Sequence, residues 1–424
     1  MSGYAEYREV NLPWLKAVPA HWEIRRNKNI FTEQKEIVGE RSADYTLLSL
    51  TLNGIIPRDM DGGGKFPESF DKYKIVKNGD MAFCLFDIDE TPRTVGLSGY
   101  NGMLTGAYTI MRVSNINARF IYYYYLALDN GKMLRPLYTG LRKTININTF
   151  QSTKVPVPPR EEQDQIVRFL DWKVSSINKL INIKKKEIKA IDALKRSTVS
   201  HAITRGLTAD APMKYSGVKW LGDIPQRWYT VPLYAIAQVK SINNCIDLPL
   251  MSVYLDAGVV PFVEREEKRT NATSKDLTNY QRVDPGDFVL NNQQAWRGSV
   301  GVSFHSGIVS PAYIVLSLNN TLDSHYANYL FRSRCMVDQY LVISRGVGSI
   351  QRNLYWSALK RVVVPIPSKK EQMEIVEYLD GLNNKFDATI KKLTEEVAVL
   401  EEYKNKIIAD TVTGKIDVLS LIHI

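Results

Sequence analysis

The side chains best suited to chemistry in this sequence are cations and amides set among Gly, Thr and Asn. They are Lys65, Arg93, Arg142 and Lys143 in the first half, and Arg269, Lys275, Asn292, Gln293, Gln294, Arg297, Arg345 and Arg352 in the second. Arginine bonds guanine bidentately in the major groove, and Asn and Gln do the same to adenine. Lys and Arg also anchor phosphates and fix register on a duplex. Asn292, Gln293 and Gln294 stand just before Arg297, so one short stretch offers both kinds of base contact. Taken singly, each residue is better read as a solvated surface charge; as a set, in corresponding segments of two halves, they point to DNA.

Catalytic constellations are missing. There is no GxGxxG after a strand, no GxxxxGK[ST], no GxSxG, no HExxH and no (N/D)PP(Y/F) of an adenine methyltransferase. The glycines of Met60–Lys65 read as a flexible turn, since no helix follows as a phosphate loop requires. Asp87, Asp89 and Glu90 suggest a metal cluster, but the corresponding stretch of the second half, NNQQA, holds no acid, so they read as solvated loop charge. The 5 histidines lack ligand spacing and the 3 cysteines lie far apart, which predicts free thiols and no metal site. The chain is therefore expected to be non-catalytic and to hold no cofactor. A net charge of +10 and a pI near 9.2 favour a polyanionic partner. No apolar run approaches the ~20 residues that span a bilayer, and the mixed first residues are unlike a secretory signal. The expected location is cytoplasmic, with no membrane partner.

Those candidates sit on a chain written twice. VPVPPREEQDQIVRFLD (155–171) is echoed by VPIPSKKEQMEIVEYLD (364–380), and LPWLKAVPAHW (12–22) by VKWLGDIPQRW (218–228). Trp14 aligns with Trp220, Pro19 with Pro225 and Trp22 with Trp228. Gly79-Asp80 is echoed by Gly286-Asp287, TGAYTIM (105–111) by SPAYIVL (310–316), and the tyrosine-rich IYYYYLAL (121–128) loosely by HYANYLFR (325–332). The organisation read from this is a mixed α/β part over 1–155, a helical region over 156–209, a second mixed part over 210–364 and a second helical region over 365–424.

Short strands are expected in DMAFCLF, TGAYTIMRV, GDFVLNN and AYIVLSL, with single helices around 117–134 and 322–342. The similar regions read as helices of about 40 residues, or about 60 Å. Ser368-x-x-Glu371 is a capping-box pattern, Pro159 suits a helix start, and Gly206 and Gly414 are natural stops. Leu379, Phe386, Leu393, Leu400 and Ile407 recur every seven residues, with Ile390 and Val397 interleaved. The first copy places Leu170, Ile177 and Ile191 in that series and Val174, Ile181 and Ile188 between them, with Lys184 interrupting. Such spacing predicts a coiled-coil seam. Residues 160–205 hold eleven Lys/Arg against six Asp/Glu, whereas residues 369–415 hold eight against ten, which favours pairing the two copies with each other.

This layout resembles the specificity subunit of type I restriction-modification enzymes. The echoed pair at 155–171 and 364–380 carries the resemblance, together with GDFVLNNQQAWRGSVGVSFHSGIVSPAYIVL (286–316) and the motifs around Trp14 and Trp220. The resemblance implies an α+β fold: two mixed α/β target-recognition domains joined by two long helices in an antiparallel coiled coil, with pseudo-twofold duplication. It implies a DNA reader with two half-sites, docked to two methyltransferase (modification) subunits that use S-adenosylmethionine to methylate adenine N6. Restriction subunits, with ATP and Mg, join through the complex. Other readings are a specificity subunit of a different methylation system, a coiled-coil scaffold that binds protein, or an autonomous nuclease or transposase.

Overall fold

In the computed structural model, residues 3–59, 66–139, 143–262, 276–347 and 351–419 are described. The chain divides into two compact units, Met1–Lys185 with Glu395–Ile424, and Lys186–Thr394. The division cuts across two long helices, so each unit holds one mixed α/β part and a stretch of both helices. Among the described residues the α-helices are α1 (Ala118–Asn130), α2 (Ile147–Ser152), α3 (Arg160–Arg205), α4 (Ser324–Arg332), α5 (Arg334–Ile343), α6 (Trp356–Leu359) and α7 (Lys369–Val412). None is long and apolar enough to cross a membrane.

The duplication in the sequence is a duplication of topology. In the first unit a four-stranded antiparallel sheet runs Phe31–Gln34, Thr109–Val113, Met81–Phe83, Val95–Leu97. In the second the same order is filled by Ala237–Val239, Tyr313–Leu318, Phe288–Asn291 and Val300–Val302. The strands expected from β-branched and aromatic runs are these. The echoed Gly-Asp pairs build the turn before a central strand. Gly79 and Gly286 adopt φ of +88° and +93°, which favours a residue without Cβ. Asp80 then accepts the backbone N–H of Lys77 at 2.9 Å, and Asp287 that of Asp284 at 2.8 Å.

The helix expected around 117–134 is α1, capped by Asn117. The single helix expected over 322–342 is instead two, α4 and α5. Ser333 stands between them in extended backbone, φ −63° and ψ 152°. Its hydroxyl donates to the Leu330 carbonyl at 2.6 Å and accepts the Met336 N–H at 3.5 Å. A short polar side chain competes with the helix for its own backbone groups, and hydrophobic periodicity does not report that.

Each mixed part closes where the long helix begins. Lys154–Val157 pairs antiparallel with Glu23–Arg26, and Val363–Ile366 with Tyr229–Pro232. Among the described residues both ladders have two strands, so Pro156 and Pro365, which lack an N–H, sit on edge strands where none is required. The helices stop at Gly206 and Gly414, with φ of +74° and +75°.

The seam positions face inward in both copies. Leu170, Ile177, Ile181, Leu379, Leu393, Val397 and Ile407 are buried, and Val174, Ile188, Ile191, Phe386, Ile390 and Leu400 are half-buried. In the first unit Ile177 and Ile181 of α3 share a core with Val397, Leu400 and Ile407 of α7. There the helices run in opposite directions: Lys404 donates to Asn178 at 3.2 Å, Lys185 meets Glu401 at 3.0 Å, and Lys184 meets Glu396 at 3.0 Å. Lys184, which interrupts the apolar series, thus finds an acid on α7. In the second unit Lys195 of α3 meets Asp387 of α7 at 2.6 Å. The basic-on-acidic pairing read from composition is present in both units.

Candidate nucleic-acid interface

A set of hydrogen bonds, repeated in the two units, fixes each mixed part to its helix start. Trp22 donates its indole N–H to Glu162 at 2.9 Å, and Trp228 to Glu371 at 3.0 Å. Gln163 accepts the Asn117 N–H at 2.8 Å and donates to the Pro158 carbonyl at 2.8 Å. Gln372 accepts the Asp323 N–H at 2.7 Å and donates to the carbonyls of Thr321 and Pro367, both at 3.0 Å. The Tyr123 hydroxyl donates to Asp171 at 2.7 Å, and that of Tyr329 to Asp380 at 2.5 Å. The expected capping box forms by half: Ser368 Oγ accepts the Glu371 N–H at 3.3 Å. The Glu371 carboxylate turns instead to Trp228 and to Arg227, whose Nε lies at 2.7 Å. Burial raises the Glu371 pKa, but the bonds from Arg227, Trp228 and Ser368 outweigh it and hold the carboxyl below its ordinary range.

On this frame the second unit carries a short, tightly bonded loop. Asn292, Gln293 and Gln294 leave the strand Phe288–Asn291, and a 3-10 turn over Ala295–Arg297 follows. Gln294 N–H donates to Asn291 O at 3.0 Å, Arg297 N–H to Gln294 O at 2.9 Å, and the Trp296 indole to Gln293 O at 2.9 Å. Gln293 and Arg297 are exposed, and the Arg297 guanidinium lies 4.6 Å from the centre of the Trp296 ring, a cation–π arrangement. Arg345 and Arg352 lie on the antiparallel pair Arg345–Val347 and Gln351–Asn353. Leu354, next along, donates its N–H to Asn292 O at 2.9 Å. The structure therefore brings the amide–arginine loop and the arginine hairpin together.

Two cavities adjoin the loop. One of about 360 Å³ is lined by Asn243, Asn279, Gln281, Asn292, Tyr355 and Trp356 among others. Asn292 Oδ1 is buried and has no hydrogen-bond partner among the described residues. The other, about 630 Å³, collects Lys195, Arg196, Arg297, Arg332 and Arg334.

In the first unit the described candidates are paired internally. Arg93 turns inward: its Nη1 lies 2.8 Å from the buried Asp129 and 2.9 Å from Asn130 Oδ1, and the side chain is 15% exposed. That placement does not suit it to a DNA contact. Lys143 reaches Glu90 at 2.5 Å and Asp89 at 3.2 Å, and these bonds push its pKa up to about 12. Asp89 also accepts the Tyr138 hydroxyl at 2.7 Å, the main cause of a carboxyl held well below its ordinary range. Asp89 and Glu90, read from the sequence as solvated loop charge, thus tie a loop to its neighbours. Lys65, Arg142, Arg269 and Lys275 lie outside the described residues, as do the Met60–Lys65 stretch and the end of the apolar tail LSLIHI.

The sequence reading missed the clamp residues Glu162, Gln163, Asp171, Glu371, Gln372 and Asp380. The signal was present: these are letters that the two echoed segments share, whereas Asp164 and Met373, or Arg168 and Glu377, differ.

Fold and site define a duplicated protein in which two mixed α/β parts, each clamped to a long paired helix, carry different polar loops on one frame. The family model for the type I restriction modification DNA specificity domain matches residues 70–191 and 225–399, and the chain belongs to that family. It is 24% identical over 441 aligned residues to the type I restriction enzyme MjaVIII specificity subunit of Methanocaldococcus jannaschii, covering 98% of both chains. It is 25% identical to the putative type I restriction enzyme MjaX specificity subunit of the same organism, covering 95% of each. Among solved structures, a chain described under "Structural basis underlying complex assembly and conformational transition of the type I R-M system" shares the fold, with a TM-score of 0.63 at 14% identity over 94% of this chain and 99% of that one.

Proposed function

We propose that this chain reads a two-part DNA target for a type I restriction-modification complex, one half-site per mixed α/β part, and performs no catalysis itself. The observation that carries the reading is the contrast inside the duplication: the frame and the central bonds of its clamps repeat, while the loops mounted on it diverge. A reader of two different half-sites needs that division. Base reading in the second half is assigned to Gln293, Gln294 and Arg297, with Asn292, whose Oδ1 is buried, supporting the loop behind them and Arg345 and Arg352 on phosphate or base edges.

The helix pair is the spacer and the dock. Exposed apolar side chains on its outer faces, Trp172, Leu180, Ile183 and Val399, support a protein partner there, in keeping with two adenine-methyltransferase subunits. S-adenosylmethionine would belong to those partners, and ATP and Mg to the restriction subunits.

Salt-dependent duplex binding by the assembled complex tests the reading. Phosphate neutralisation predicts a steep fall of affinity with salt. Arg297→Ala is expected to relax one base position of one half-site. A uniform loss across all sequences would mark Arg297 as a phosphate contact instead.

A further inference from the structure

We infer that Glu371, Gln372 and Asp380, with Glu162, Gln163 and Asp171 in the first copy, are positioning residues that set which half-site spacing the chain accepts. The inference rests on the two-part reading proposed above. It concerns how each mixed part is held on its own helix end.

Three contacts are made to each helix. In the second copy Trp228 bonds Glu371 in the first turn at 3.0 Å, the segment before α4 bonds both ends of the Gln372 amide, and Tyr329 of α4 bonds Asp380 more than two turns on at 2.5 Å. Asn383 holds the Tyr329 hydroxyl from the far side at 2.8 Å. From Glu371 to Asp380 the contacts span about 13 Å of helix axis. Hydrophobic burial supplies most of the cohesion, with Ile375 and Leu379 inside the same core as Tyr326 and Leu330, but burial is non-directional. Hydrogen bonds to points separated along and around the helix fix an angle.

The first copy makes three corresponding contacts: Trp22 to Glu162, the Asn117 N–H to Gln163 where the second copy has the Asp323 N–H, and Tyr123 to Asp171. Other positions have drifted even where they face the mixed part: Asp164, which accepts from the Asn117 side chain at 2.6 Å, and the buried Phe169 stand where the second copy has Met373 and Tyr378. Likeness thus tracks the clamp, not the whole helix surface. The consequence for spacing is a lever. A part of this size is about 30 Å across, so a tilt of about 10° at its base moves its loops by about 5 Å, more than the ~3.4 Å rise of one base pair.

The test uses the full chain in complex with its methyltransferase subunits and a duplex library with fixed half-sites and varied intervening length. The wild-type complex is expected to methylate one length. Asp380→Ala and Gln372→Ala are each expected to raise methylation at lengths one base pair shorter or longer by about tenfold relative to the preferred length, with the bases read in both half-sites unchanged. Asp380→Asn, which keeps an acceptor for Tyr329, is expected to restore the single length. Tyr329→Phe provides a second removal of the same bond should Asp380→Ala fail to fold. A wild-type length profile in all of these variants, even with methylation uniformly lowered, overturns the inference. A wild-type complex with no two-part target overturns the underlying reading, and is seen before any variant is made.

Discussion

The clamp at Glu162 and the clamp at Glu371 have the same centre and different surroundings. Both accept a buried tryptophan indole. Glu162 also takes the Tyr4 hydroxyl at 2.6 Å and His21 at 2.7 Å, and its side chain is 4% exposed. Glu371 takes Arg227 instead and is 14% exposed. The shared bond is the one that fixes geometry, and the accessory hydrogen-bond partners of the carboxylate have drifted between the halves. Likeness between the halves therefore reports a shared internal bond before it reports a shared external partner.

That difference is open to direct attack. Glu162→Ala leaves Trp22 and Tyr4 without their acceptor, and is expected to cost about 3 kcal/mol, whereas Glu371→Ala, which orphans mainly Trp228, is expected to cost about 1–2 kcal/mol. Denaturant titration of the two variants checks the ranking; equal losses would remove the asymmetry.

The helix stops offer a second contrast. Gly414 and Gly206 share a positive φ, but a Cβ on Gly414 would lie 2.3 Å from Pro19 Cδ, and one on Gly206 no closer than 3.3 Å to Trp228. Gly414→Ala is expected to lose about 2–3 kcal/mol and Gly206→Ala about 1 kcal/mol, measured by the same titration.

Acid should expose the second clamp. Glu371 has a folded pKa below its ordinary 4.5, so its contribution is complete above that value and is lost as pH falls through the folded pKa. Thermal melts carried from neutral pH into the acid range should show a shallower decline for Glu371→Gln than for the native chain. Smallest of all, Lys185→Ala breaks an exposed pair with Glu401 and is expected to change stability by no more than about 0.5 kcal/mol.

Much of this was legible in the sequence, because periodicity and repetition are local signals. The two long helices, their stops at Gly206 and Gly414, and the duplicated strands follow from spacing, residue type and echo. What escaped depends on partners far along the chain. Arg93 reads as a surface cation until Asp129 is folded beneath it, and Glu371 reads as a cap until Trp228 arrives from 143 residues away. The break at Ser333 escaped for another reason: α4 and α5 are both apolar on one face, and the break shows only in the extended backbone and local hydroxyl bonds of Ser333.

The central claim, a two-part reader whose halves are independent, is tested most directly by methylome sequencing of cells carrying this chain with its methyltransferase partner. The comparison is the native chain against one whose residues 210–363 are exchanged for another recognition domain. A bipartite motif in which one half-site changes and the other stays is the result the account predicts. A single contiguous motif, or a change in both half-sites, would contradict it.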